Sequence, residues 1–332
     1  MFFINDRFGM RNVFAEYINH KDLVIPGELQ HGYWHSPRWA QKRNSQTYFL
    51  KTFLWGGIFG EKMRLLRPTN IELIGDPFLY ELVKPIEFQI DKNEENFVLY
   101  PQYSSSLSIE GREKKHKDFL DWVCASGINR GVVSLHPNEK TSSKLKEIYQ
   151  TRGFPLLDSA QVGDQNFFEL KRKELLGHKG VISNYLGPHV FRATILGKTA
   201  LIDNRIDLGE FAPEYHRIIK PFLMNKDGGS TESSQLEIAQ QELGLENIKS
   251  RAQLREIFLT DESTQLILKI LQEAKNILAG VGKLANSSQL AANPRSDSQW
   301  ECLHCYTKLL PITYSSRSFL CQNCYRRFRL LR

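Results

Sequence analysis

An α/β fold built on a parallel sheet is the fold class that this sequence predicts. Three observations lead to it. From Phe97 onward, short apolar runs alternate with helix-length amphipathic stretches. Capping and breaking residues stand where those stretches should begin and end. Several of the apolar runs stop at polar clusters rather than at plain turns. Strands that alternate with helices of about 10–15 residues indicate βαβ units and parallel pairing.

Taken in order, FVLYP (97–101) reads as a strand, and REKKHKDFLDWVCAS (112–126) carries Phe119, Leu120, Val123 and Cys124 at helical spacing. GVVSL (131–135) is the second strand, followed by a helix over TSSKLKEIYQTR (141–152) capped by Thr141 or Ser142. FPLLD (154–158) is the third strand, and DQNFFELKRKELLG (164–177) a helix that closes on Gly177. GVIS (180–183), the helix GPHVFRATILG (187–197) and TALID (199–203) complete the series. Before residue 91 the strand signals are DLVIP (22–26), QTYFL (46–50) and NIELIG (70–75), with few helix-length patterns. The charged IDKNEEN (90–96) reads as a linker or hairpin loop.

The expected organisation is a short first α/β half over residues 1–91 and a Rossmann-like half over residues 92–224. A helical segment with a flexible linker follows over residues 225–298, then a small unit over residues 299–332. Of the formal net charge of +7, five units fall in that last unit, where six Lys and Arg face Glu301 alone. The body is therefore close to neutral, which argues against nucleic acid as its main partner. No apolar run approaches the roughly 20 residues that span a bilayer. The start shows no signal-peptide pattern, and the cysteine usage fits a reducing, cytoplasmic setting.

Ligands of open α/β sheets bind outside the carboxyl ends of the strands. Four such ends are polar here: YPQYSSS (100–106), SLHPNEK (134–140), ISNYLGPH (182–189) and IDNR (202–205). In the third, Ser183 and Asn184 close a strand, Gly187 allows close approach, and Pro188 suits the first turn of a helix. The N–H groups at such a helix start can hold a phosphate, and His189 and Arg192 add charge. In the second, Pro137 keeps His136 extended at the sheet edge. A fifth end, LQHGYW (29–34), stops a strand on Gln30, His31 and Gly32, with Gly32 letting the chain pass close. Gly75-Asp76-Pro77 is read as a turn, and Cys124 as core.

These residues resemble the nucleotide half of GT-B-type glycosyltransferases of bacterial surface polysaccharide and capsule biosynthesis. A His-Pro at one strand end, followed by a strand that enters a Ser-containing loop and helix, is similar to the polysialyltransferases and to the CDP-glycerol glycerophosphotransferases. The latter also carry a Gln-x-x-His-Gly-like element like that at Gln30-His31-Gly32. The resemblance covers roughly Leu23 to Arg205 and implies a GT-B-like fold of two Rossmann-like halves, the first one short. It implies that His136 and Pro137 hold the phosphate or base of a nucleotide-activated donor, and that Ser183, Asn184 and Gly187 bind its phosphates. His31 would be the base on an acceptor hydroxyl or would steady the leaving phosphate, with a surface polysaccharide as acceptor. The acidic base of the sialyltransferases has no counterpart near His31, and their Ser-Ser element is here Ser183-Asn184-Tyr185.

Cys302-x2-Cys305 and Cys321-x2-Cys324 stand 15 residues apart, a spacing that closes four thiolates on one structural Zn²⁺. The Arg-rich end YRRFRLLR (325–332) suits an anionic membrane surface, an acidic protein or nucleic acid. The sequence thus predicts a cytoplasmic glycosyltransferase, peripheral at the inner membrane face. Two other functions fit it: a zinc-ribbon adaptor for nucleic acid or protein, and a non-catalytic member of a polysaccharide assembly complex.

Overall fold

The computed structural model describes residues 8–30, 51–66, 71–86, 93–103, 107–136, 138–160, 163–208, 213–224 and 232–259, with 310–311, 318–320 and 327–329 near the C-terminus. His31, Gly32, Pro137 and all four cysteines of the expected zinc site lie outside them. The chain divides into two compact units, residues 1–43 with 49–260, and residues 44–48 with 261–332.

The first unit is a mixed α/β body with two parallel sheets. It opens with α1 (Met10–Tyr17), whose Met10, Val13 and Phe14 fall on one buried face. Then come β1 (Gly27–Leu29), β2 (Lys51–Leu54), α2 (Gly57–Leu66), β3 (Ile71–Leu73) and α3 (Pro77–Leu82). The strands form a parallel sheet in the order β1-β2-β3. Two expectations shift here. The first strand lies beyond DLVIP, because Pro26 has no N–H for a ladder and the Leu23 N–H turns back onto the His20 carbonyl at 3.1 Å. The described residues before residue 91 also include three helices where few were expected. Each is short, so its apolar face spans too few positions to stand out as a period.

The second half contains β4 (Asn93–Tyr100), α4 (Ile109–Ala125), β5 (Gly131–Val133), α5 (Ser143–Gln150), α6 (Phe167–Leu176), β6 (His178–Ser183), α7 (Pro188–Ile195) and β7 (Thr199–Ile202). The expected helices are all present, and Ser142 is the cap of α5, its hydroxyl accepting the Leu145 N–H at 3.3 Å. The NEEN of the presumed linker is instead the start of β4, paired with β6 through an irregular register between Asn93 and Phe97. FPLLD contributes one bridge, Leu156 to Val133, because Pro155 offers only its carbonyl.

The sheet runs β5-β4-β6-β7, all parallel, extended by Leu156 beside β5 and Leu223 beside β7. Numbered along the chain, these six positions stand in the order 3-2-1-4-5-6 of a doubly wound Rossmann sheet. The order reverses between β4 and β6, so their carboxyl ends part around a crevice.

After α8 (Pro213–Ile219), the helices α9 (Glu232–Glu242) and α10 (Arg251–Leu259), both expected from the sequence as part of the helical segment, pack within the body. Ala239, Leu243, Leu254 and Phe258 are buried in its core, and the Phe258 ring meets Phe14 at 5.5 Å and Phe53 at 5.2 Å. Glu242 accepts the Ile58 N–H at 3.2 Å at the start of α2. Gly244 has φ +70, and a Cβ there would lie 1.8 Å from the Trp55 carbonyl oxygen. Only glycine lets the end of α9 lie so close to β2.

In the second unit, β8 (Leu310–Pro311), β9 (Ser318–Leu320) and β10 (Arg327–Arg329) form an antiparallel sheet in the order β10-β9-β8. Cys321 and Cys324 fall, in sequence, between the paired strands β9 and β10.

Candidate functional site

The reversal of strand order leaves a cavity of about 340 Å³ in the body, within the 300–1,000 Å³ range of small-molecule sites. Tyr100, Pro101 and Tyr103 reach it from the end of β4, Ser134 to His136 from β5, and Tyr185 to His189 with Arg192 from the segment after β6. Trp55 enters from the end of β2, and Phe168 and Lys171 from α6. Three of the four polar strand ends therefore converge. The fourth does not line the cavity: β7 lies one strand beyond β6, and Arg205 folds back onto Asp203 at 2.7 Å.

His136 stacks on Tyr103, with ring centroids 4.3 Å apart and planes 6° from parallel. Its Nδ1 receives the Asn138 N–H at 3.2 Å, which in the neutral ring leaves the proton on Nε2. Ser183 is fully buried beneath the crevice and does not line it. Its hydroxyl donates to the Tyr100 carbonyl at 2.8 Å and accepts the Tyr185 N–H at 3.2 Å. Asn184 accepts the Gln102 N–H at 2.7 Å. Both side chains tie the ends of β4 and β6 together, and so set the width of the crevice instead of facing into it. Gln30 does the same in the first sheet, its Oε1 accepting the Trp55 N–H at 3.0 Å.

Gly187 has an extended backbone, but a Cβ there would come within 2.6 Å of both the His189 and Tyr185 rings. The absence of a side chain lets those rings close the wall. His189 stacks on Tyr100 at 4.3 Å, and its Nε2 is buried without a hydrogen-bond partner among the described residues. Burial holds its pKa well below the ordinary histidine value, and the positive charges of Lys171 and Arg192 act in the same direction. The ring is thus neutral near pH 7.

That shift carries a pH dependence. The unfolded chain takes up a proton at His189 near pH 6.5 while the native ring resists it, so stability is lost as pH falls below that value and is fully present above it. Thermal melts at pH 7.5 and 5.5 should show a larger loss for the native chain than for His189→Gln. Equal losses would remove His189 from the account.

Arg192 is committed to Asp76, with Nε to Oδ2 at 2.8 Å and an Nη to Oδ1 at 3.0 Å. Asp76 is not merely a turn residue: it also caps α3, accepting the Phe78 N–H at 3.0 Å. Sequence reasoning missed Lys171, whose Nζ lies 2.9 and 3.0 Å from the two Glu174 oxygens and 3.3 Å from the Ser134 hydroxyl. A signal was present. Phe168, Lys171 and Leu175 share one helical face, and a cation on an apolar face is unusual. Lys171 and Arg192 line the cavity, and the carboxylates that partner them, Glu174 and Asp76, do not.

No three His, Cys, Asp or Glu among the described residues are grouped to hold a metal ion, and none of the described helices is long and apolar enough to cross a membrane. No protein-family model matches the chain, and no curated protein matches it. Among solved structures, a co-structure of S. aureus MnaA with UDP is similar at 10% identity and a TM-score of 0.34, with 73% of each chain covered.

Proposed function

We propose that this protein binds a nucleotide-activated sugar, or polyol phosphate, in the crevice between β4 and β6 and transfers the activated group to a saccharide acceptor. The GT-B-type polysaccharide enzymes it resembles do the same. The observation that carries the reading is the position of the cavity at the strand-order reversal, with the cationic residues Lys171 and Arg192 in its wall. Donor phosphates lie against Lys171 and the Nε2–H of His136, which stabilise the charge that grows on the departing nucleotide. Tyr103, stacked on His136, offers an aromatic face to the base. His31, one residue after the Gln30 that fixes the end of β1, takes the proton of the acceptor hydroxyl. In sugar transfer that oxygen bonds to the anomeric carbon as the bond from carbon to phosphate oxygen breaks.

Differential scanning fluorimetry with CMP, CDP, UDP and GDP tests this. At about a hundredfold excess over Kd, the fitting nucleotide adds about 2.7 kcal/mol of stability, roughly 4–5 °C in Tm for a chain of this size. His136→Ala should shrink the shift. His31→Ala should keep it and stop transfer. No shift with any nucleotide sinks the reading.

For the second unit, we propose that Cys302, Cys305, Cys321 and Cys324 hold one structural Zn²⁺, and that its Arg-rich end docks on an anionic membrane surface or an acidic partner. Metal analysis of the full chain should find about one zinc per chain, lost in Cys302→Ser with the nucleotide response retained. A zinc-free purified protein would leave the four thiols without that role.

A further inference from the structure

The turn that follows His136 is anchored from inside the body. Asn138 is exposed, as turn residues usually are, yet Glu139 beside it is only 1% exposed. The Glu139 N–H donates to the His136 carbonyl at 2.8 Å, and the Glu139 carbonyl receives the Ser142 N–H at 3.0 Å. Its side chain leaves the turn and meets His116 of α4, with Oε1 3.3 Å from Nε2. His116 shares the buried face of that helix with Phe119, Leu120 and Val123. Its Nδ1 lies 2.8 Å from the Tyr149 hydroxyl of α5. Burial and the Glu139 charge push the Tyr149 pKa well above the ordinary tyrosine value, so the phenol keeps its proton. Donated to Nδ1, that proton leaves the proton of a neutral ring on Nε2, facing the carboxylate. Lys140 ties the same turn to the Ser159 carbonyl at 2.6 Å.

Stability is a poor reason for such a chain of polar groups. Apolar residues of similar volume often serve the fold as well as a buried ionic pair. The Oε2 of Glu139 is also buried with no hydrogen-bond partner among the described residues, a further cost. None of Glu139, His116 and Tyr149 lines the cavity. What the chain does hold is the turn, and the turn holds His136. The Asn138 N–H reaches the His136 Nδ1 at 3.2 Å only while the turn keeps its shape, and that bond places the proton of the neutral ring on Nε2. We propose that Glu139, braced by His116 and Tyr149, is a positioning residue that fixes the tautomer and orientation of His136 toward the donor phosphates. This rests on the nucleotide reading above.

Calorimetric titration of the full chain with CMP, CDP, UDP and GDP, in the native and His136→Ala backgrounds, tests it. Glu139→Ala should weaken the nucleotide that binds by about tenfold in the native background, the loss expected of one well-placed hydrogen bond. Where His136 is already alanine, the same change should cost no more than about twofold, because residues that act through one another do not add. A side chain that only props up the fold would cost the same in both. In ¹⁵N spectra of the histidine rings at alkaline pH, native His136 should show a protonated Nε2 and a bare Nδ1. Glu139→Ala should draw its two nitrogen shifts together, as both tautomers become populated. Tyr149→Phe keeps the ring and drops only the hydroxyl, so it tests the same chain if Glu139→Ala melts early. It should weaken binding about threefold in the native background and leave His136→Ala unchanged. Equal losses in the two backgrounds, no loss in either, or unmoved His136 nitrogens overturn the assignment and leave nucleotide binding intact. A native chain that binds none of the four nucleotides overturns both readings.

Discussion

Arg192→Met is expected to destabilise the body by about 3–5 kcal/mol, the loss typical of a buried ion pair deprived of one member. Asp76 is completely buried, and Arg192 supplies two of the three hydrogen bonds described at its carboxylate. Without the guanidinium, a full negative charge stays among Trp55, Phe78 and Phe168 with a single N–H for a partner. The pair spans 116 positions of sequence and joins the start of α3 to α7, so its loss acts on both sheets together. Asp76→Leu alone should be costly for the mirror reason, since it strands the guanidinium. The double variant should recover much of the loss, because well-packed apolar replacements often match a buried pair. Urea denaturation followed by far-UV circular dichroism measures all three. Single variants within 1 kcal/mol of the native chain would mean that the pair is not held as described.

That pair also marks where sequence reading stopped. Gly-Asp-Pro is a common turn, and nothing local to Asp76 names a partner 116 residues away. The strand ends at Tyr100, His136 and Ser183 were legible because each strand runs into polar residues and then into a well-capped helix. The rule that ligands gather at carboxyl ends then assembled the site. What the rule does not supply is which polar residue faces outward. Ser183 and Asn184 looked like phosphate ligands by type, yet their partners are the backbone of Tyr100, Tyr185 and Gln102. A short hydroxyl or amide beside two parting strands is well placed to bond to the backbone first. Trp55 and Lys171 were hidden for the opposite reason. Lys171 reads as an ordinary helix lysine and Trp55 falls outside every element expected from the sequence, and only the fold brings them to the same space.

Lys171→Met should weaken binding of the fitting nucleotide about 10- to 100-fold. Hydrogen bonds to charged groups are worth about 1.5–3 kcal/mol, and each 1.4 kcal/mol is tenfold in Kd. Arg192 cannot take over, because its guanidinium is already forked onto Asp76. The Lys171 ammonium is held by Glu174 and Ser134 and lies 5.1 Å from the centre of the Tyr100 ring, little exposed to water. Salt screens such a buried charge weakly, so the loss should persist at high ionic strength. Part of it has a second origin. With lysine gone, Glu174 keeps its carboxylate behind the wall, joined there by the Tyr100 hydroxyl, and repels the phosphates. Lys171→Met with Glu174→Gln removes that repulsion while still lacking the cation, so it should fall between Lys171→Met and the native chain. Lys171→Arg keeps the charge and should bind best of the three. Calorimetric Kd values at two salt concentrations separate these contributions. Binding by Lys171→Met within twofold of the native chain would place the phosphates elsewhere, and the crevice between β4 and β6 would lose its claim to the donor.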